Sequence, residues 1–172
     1  MILMHTAVVC LLLKMSPFIL WKKTLSTFLI CLSTASSSAA FSDNIQTCIE
    51  KLGLNRRIVN FGVPFAQILY KPGSSVMFWC AALSIAENAG SALSLTWIVT
   101  ALVMSILLSS AAPPVPGGMN ACFSILLTQL HLPLTNLAVI LSVASVLDFV
   151  TTATNIFSGQ CVLAVTAGEQ DH

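Results

Sequence analysis

A single carboxylate stands in the long apolar tract between Asn88 and Gly168. Asp148 is the only acidic or basic residue between Asn88 and Gly168, at the centre of the stretch SVASVLDFVTTATNIFSGQ (142–160). Ser145, Thr151, Thr152, Asn155 and Gly159 lie at offsets of −3, +3, +4, +7 and +11 from it, which on a helix gathers them on one face. Val143, Val146, Leu147, Val150, Ile156 and Phe157 make the opposite face apolar. A carboxylate at the bilayer centre costs roughly 2.5–3.5 kcal/mol on insertion scales, so it faces a partner or a cavity rather than lipid. Two roles are open to it: pinning neighbouring helices together, or holding a ligand or ion. An intramembrane ionisable residue points to the second.

The rest of the composition sets the medium. Of 172 residues, 56% are hydrophobic and 8% charged, and the mean hydropathy is +0.92. Soluble domains carry about 25% charged residues, so the fold expected is all-α and integral to a membrane, as a single domain over 1–172. The lipid bilayer is the first partner implied. A net charge of +1 and the lack of a basic patch interleaved with aromatics give no reason to expect nucleic acid. The six cysteines are scattered without CxxC spacing and read as small hydrophobes, neither a disulfide framework nor a metal site. No cofactor motif is present, and without a nucleophile–base pair or metal cluster the chain is not expected to be an enzyme.

Taken in order, residues 4–13 are apolar but short for a span, so 1–23 reads as the end of a transmembrane helix followed by a cytoplasmic turn at Pro17 and Lys22-Lys23. The lysines, the apolar run and the small residues before Phe41 also imitate a secretory signal, but an apolar segment already precedes them. Residues 24–55 read as a helix over Leu25–Leu32 that breaks at a serine run and returns, each arm too short to span. Lys14, Lys22, Lys23, Lys51, Arg56 and Arg57 leave Lys71 as the only other basic residue. The positive-inside rule puts both clusters on the cytoplasmic side, which makes 24–55 a re-entrant hairpin. Residues 58–87 form a transmembrane helix broken by Pro72 and Gly73 with Lys71 beside the break, an irregularity tolerated only where protein or a cavity covers it. Residues 92–133 form two apolar arms around SSAAPPVPGG, a run that cannot continue a helix. It is either an ordinary extracellular loop or, by its low polarity, the tip of a second hairpin inserted from outside. The last transmembrane helix covers 136–167, and 168–172 is a polar tail. Broken segments at corresponding positions are the best sequence pointer to a transporter site at the membrane midplane.

These residues resemble one family, the dicarboxylate/amino acid:cation symporters, which include the glutamate transporters. The similarity runs from about His5 to Ala167 and covers the C-terminal, transport-domain part of that fold. A serine-rich first tip is matched by Ser36, Ser37 and Ser38, and a Val-Pro-Gly second tip by Val115, Pro116 and Gly117. An Asp with Thr four and Asn seven residues on is matched by Asp148, Thr152 and Asn155, while Pro64 and Gly73 hold the matching places in the broken helix. The resemblance implies a secondary active transporter of amino acids or dicarboxylates in the cell membrane. Asp148 would take the α-ammonium of the substrate, Thr152 and Asn155 would add polar contacts, and backbone groups near Ser37, Ser38 and the second tip would receive the carboxylate.

The departures change what is expected. Acidic-substrate members carry an Arg where this chain has Thr151; without a guanidinium fork a side-chain carboxylate has no bidentate partner, so a neutral amino acid is expected. The usual Asn-Met-Asp-Gly-Thr of the break is Tyr70-Lys71-Pro72-Gly73-Ser74 here, and the second Asp of the last helix is replaced by Gly159 or Gln160. The ion-site region of Tyr70, Lys71, Gly73, Asn155 and Gly159 is therefore degenerate. Sodium or proton coupling is left open. The Lys71 ammonium is a candidate stand-in for a bound cation; the plainer alternative is that it snorkels or goes neutral. The N-terminal scaffold helices of the family have no counterpart here, so alternating access would need them from another chain or from a homo-oligomer. Otherwise the chain would be a degenerate member or a membrane partner of a related carrier.

Overall fold

The computed structural model describes residues 1–168, and among them every regular element is a helix. Helix α1 covers Ile2–Leu12 and α2 Pro17–Thr34; α3, Phe41–Gln46, runs on into a wide π turn over Thr47–Lys51. Then come α4 (Arg56–Leu69), α5 (Pro72–Asn88), α6 (Leu95–Ala111) and α7 (Asn120–Gln129). A single 3-10 turn at Leu134–Asn136 leads into α8, Leu137–Gly168. Over Leu137–Ala167, α8 is long and apolar enough to cross a membrane, with a mean hydropathy of 1.9 in its best 18-residue window.

Proline chemistry fixes several of these bounds. The turn expected at Pro17 is instead a helix start: Pro17 sits at the first helical position, where its missing N–H costs nothing, and Ser16 precedes it in extended conformation. The helix that contains Leu25–Leu32 therefore begins at Pro17, and Lys22 and Lys23 lie inside it. It ends when Ala35 enters the left-handed region at φ 49. Pro72 likewise opens α5, so the break in the fourth and fifth helices is the pair Tyr70-Lys71, and Gly73 is helical. At 112–119 the three prolines and two glycines form an irregular connection between α6 and α7, as a run that cannot continue a helix requires.

Helix α8 is the post around which the others stand. Its N-terminal half packs against α5 and α7 through a core that includes Met77, Phe78, Phe123, Leu127 and Ala144, with the Phe78 and Phe123 rings 4.6 Å apart. Its C-terminal half is wrapped by α1, α2 and α4: Phe157 stacks on Trp21 at 4.8 Å, and Val9, Leu20 and Cys161 complete that cluster. Val59, Val63 and Leu163 seat α4. The two-faced pattern expected for α8 holds only in its first half. Val143, Val146, Leu147 and Val150 are exposed, but Ile156 and Phe157 are buried, and so is every residue from 152 to 161. Ser145, placed on the polar face by its spacing, is exposed and bonds the Leu141 carbonyl of its own helix. Of the expected polar tail, 169–172 lie outside the described residues.

Candidate substrate-binding site

Both irregular tips, the helix break and the middle of α8 converge on Asp148. The side chain is 7% exposed. One carboxylate oxygen accepts the Gly117 N–H at 3.1 Å and the other the Thr152 hydroxyl at 3.3 Å, one turn along the same helix. Gly117 has φ 72, a backbone region that costs an L side chain energy, and it is this conformation that accompanies the N–H aimed at α8. The tips also hold each other: the Pro114 carbonyl accepts the Ser38 N–H and the Ser36 hydroxyl, both at 3.3 Å.

Asn155 ties α8 to the break. Its Oδ1 accepts the Gly73 N–H at 2.7 Å and, more weakly, the Ser74 N–H at 3.4 Å, while its Nδ2 donates to the Ser74 hydroxyl at 2.8 Å. The first N–H groups of a helix have no partner within it; an asparagine from another helix supplies one here. Close approach requires Gly73, because a Cβ there would lie 3.0 Å from both Asn155 Oδ1 and the Thr151 carbonyl. Asn155→Ala strands these buried donors and is expected to cost about 1–3 kcal/mol, a Tm fall of about 2–4 °C per kcal/mol in a chain this long. An unchanged melting curve in detergent would contradict that role.

Two small cavities flank this knot, sharing Ser37, Lys71 and Asn155 in their walls. The one on the tip side is lined also by Ala35, Ser74, Pro114, Val115, Asp148 and Thr152. Its free space of about 20 Å³ holds roughly one water. The other is lined by Asn44, Gln67, Tyr70 and Gly159, so Tyr70, Lys71, Asn155 and Gly159 of the expected ion-site region do meet. Gly73 packs on Asn155 instead. Thr151, expected beside the substrate, lies outside both cavities: its hydroxyl bonds the Asp148 carbonyl and it lines the apolar groove between α5 and α8. Ser38 and Pro116 are exposed, Ser38 contributing its N–H alone.

One polar contact escaped the sequence reading. The Gln160 amide donates to Asn44 Oδ1 at 2.9 Å, both residues buried, and so joins α3 to α8. Buried amides persist where they are bonded, so the only signal was an amide within an apolar helix, with nothing to indicate its partner.

The sodium:dicarboxylate symporter family model matches residues 1–169, and the chain belongs to that family. It is 29% identical over 143 residues, 83% of its length, to an excitatory amino acid transporter of Caenorhabditis elegans, covering 28% of that protein. Neutral amino acid transporter A of Homo sapiens is 29% identical over the same share, with 27% of it covered. C4-dicarboxylate transport protein 1 of Pseudomonas aeruginosa is 28% identical over 154 residues, 89% of the chain and 33% of that protein. The chain thus spans about a quarter to a third of the length of these relatives. The family is one of symporters, and its members are multi-pass proteins of the cell membrane, where this chain belongs.

Proposed function

We propose that the chain is the substrate-binding part of a secondary active symporter that takes a neutral amino acid, with sodium coupling altered from the family's usual form. The observation that carries this reading is a pair of bonds across the site. At Asp148 a donor, the Gly117 N–H, occupies the place of a substrate ammonium. At Ser38 an acceptor, the Pro114 carbonyl, occupies the place of a substrate carboxylate. An α-amino acid offers one donor group and one acceptor group a few ångströms apart and replaces both bonds with charge-assisted ones, which are stronger. With room for about one water, the closed site admits it only when the 112–119 tip moves away, and re-closing then sequesters it.

Two further features support the arrangement as a pair of re-entrant hairpins. Lys51, at the end of the first hairpin, donates to Ser26, one turn past Lys22 on α2, so a residue of the second basic cluster meets the helix that carries Lys22 and Lys23, as the positive-inside rule asks of a segment entering and leaving from the same side. The second tip, 112–119, reaches the same Asp148 from α6 and α7. Neutral selectivity is expected because no guanidinium lines the tip-side cavity, and the one ammonium in its wall, that of Lys71, is already bonded to the Ala112 carbonyl. The scaffold against which such a domain moves would come from further helices, in this or another copy or chain.

The test is a binding assay on the detergent-solubilised chain with amino acids blocked at either end. Free neutral amino acids are expected to bind, while their N-acetyl and methyl ester forms, and aspartate and glutamate, bind at least about tenfold more weakly, the loss of one charged hydrogen bond being worth about 1.5–3 kcal/mol. Equal binding of blocked and free forms would remove the two-ended site. A second reading, a family member that no longer transports, is favoured by the break Tyr70-Lys71-Pro72-Gly73-Ser74, which offers no carboxylate to a coupling cation; it predicts no binding at all.

A further inference from the structure

The break after α4 and the end of α6 meet at their negative poles. Neither helix carries a basic residue in its last turn, and the unpaired final carbonyls of each amount to about half a negative charge. Three contacts span the junction. Ser110 donates to the Leu69 carbonyl at 3.3 Å, the hydroxyls of Ser75 and Ser109 lie 2.7 Å apart, and the Lys71 ammonium donates to the Ala112 carbonyl at 2.6 Å. Lys71 leaves the chain directly after Tyr70, the C-cap of α4, and reaches Ala112, the C-cap of α6. Its side chain is buried, the residue being 8% exposed. One ammonium therefore stands where the C-terminal ends of α4 and α6 meet, at the residue that also caps the N-terminus of α5. Unwound backbone carbonyls and half-helix C-terminal ends are the oxygen donors that hold monovalent cations in carriers with broken helices.

We propose that Lys71 is a built-in cation: its ammonium, held by the Ala112 carbonyl, takes the place of a monovalent cation between the helix break and the second tip, and fastens that tip over Asp148 without an ion from solution. The inference rests on the carrier reading only for what the closed tip encloses. Ala112 begins the tip and Gly117 lies near its end, so the Lys71–Ala112 and Gly117–Asp148 bonds hold the tip at both sides. Snorkelling, the plainer expectation for this lysine, does not occur: the head group ends on a buried carbonyl rather than at an interface. A charge that arrives with the chain cannot be drawn from a gradient, and so this step of closure carries no energy from one.

The test is an ion titration of the full chain in detergent, without amino acid, replacing choline chloride by sodium, lithium or potassium chloride at constant ionic strength while Tm is followed. Lys71→Met keeps most of the stem, and Lys71→Gln keeps a neutral N–H donor; both lose the charge. The unsubstituted chain is expected to show no saturable response to any of the ions. Both variants are expected to melt lower in choline and to gain a saturable rise of about 3 °C or more with at least one small cation. A saturable response in the unsubstituted chain overturns the proposal, because the site would then be open. A Lys71→Gln protein that melts like the unsubstituted chain and ignores every ion also overturns it, since a hydrogen bond alone would suffice. If both variants fail to fold in every salt while Lys71→Arg folds, no ion can replace the lysine and the proposal falls as well. Failure of the carrier reading shows separately, as absent amino-acid binding in the unsubstituted chain.

Discussion

Asp148→Asn is expected to lower amino-acid affinity by roughly 10- to 100-fold, the worth of one charge-assisted hydrogen bond, and to shrink the amino-acid-dependent stabilisation of the chain accordingly. The amide keeps the size of the carboxylate and one carbonyl oxygen, so the Gly117 N–H retains an acceptor and the fold is preserved. What is lost is the negative charge that makes an ammonium the better partner. The measurement is the thermal shift with a saturating neutral amino acid, compared between the two proteins. An undiminished shift in Asp148→Asn would return the residue to the role of a pin between α8 and the second tip.

The second large effect is expected at Gly118. A Cβ there would lie 2.3 Å from the Pro113 carbonyl oxygen and 3.0 Å from that of Val115. Both are backbone atoms of the same tight tip and cannot rotate away. Overpacking of this kind costs about 1–3 kcal/mol, and it falls on the segment that carries Gly117 to Asp148 and Ala112 to Lys71. Gly118→Ala is therefore expected to open 112–119 to proteolysis by about tenfold or more and to weaken amino-acid binding in parallel. Gly62→Ala is the control. Its Cβ would come equally close, 2.3 Å, to Leu163 Cδ2, but that is the end of a flexible side chain, so the expected cost is smaller and away from the tip. Equal proteolysis of the two variants would mean the tip is not held as described.

Much of this arrangement was legible because it rests on residues with few conformational options. Pro72 after Lys71 cannot continue a helix from α4, and the prolines of 112–119 cannot continue α6, so both interruptions could be located before any packing was known. Asp148 and Asn155 were legible because polar groups in apolar sequence need partners. The misreadings have physical causes as well. Pro17 stops a helix only when it comes within one; at the first position it starts one, and spacing alone does not separate the two cases. The helical period of α8 fades after residue 151 because α1, α2 and α4 cover it on all sides, leaving no solvent or lipid face to mark. Thr151 and Thr152 were adjacent candidates of the same polarity, and only the 100° turn between neighbours, applied to the actual position of α5, sends one to the cavity and the other to the groove. The Asn44–Gln160 bond joins residues far apart in the chain, so no local pattern could announce it.

The central claim is that the knot around Asp148 still recognises a neutral amino acid, and the most direct measurement is a thermal-shift screen of the solubilised chain against neutral and acidic amino acids, with sodium and with choline in its place. The account predicts a saturable shift with one or more neutral amino acids, none with aspartate or glutamate, and the same shift in both salts. No shift with any amino acid, in a chain whose helical content and cooperative melting show it to be folded, would contradict it.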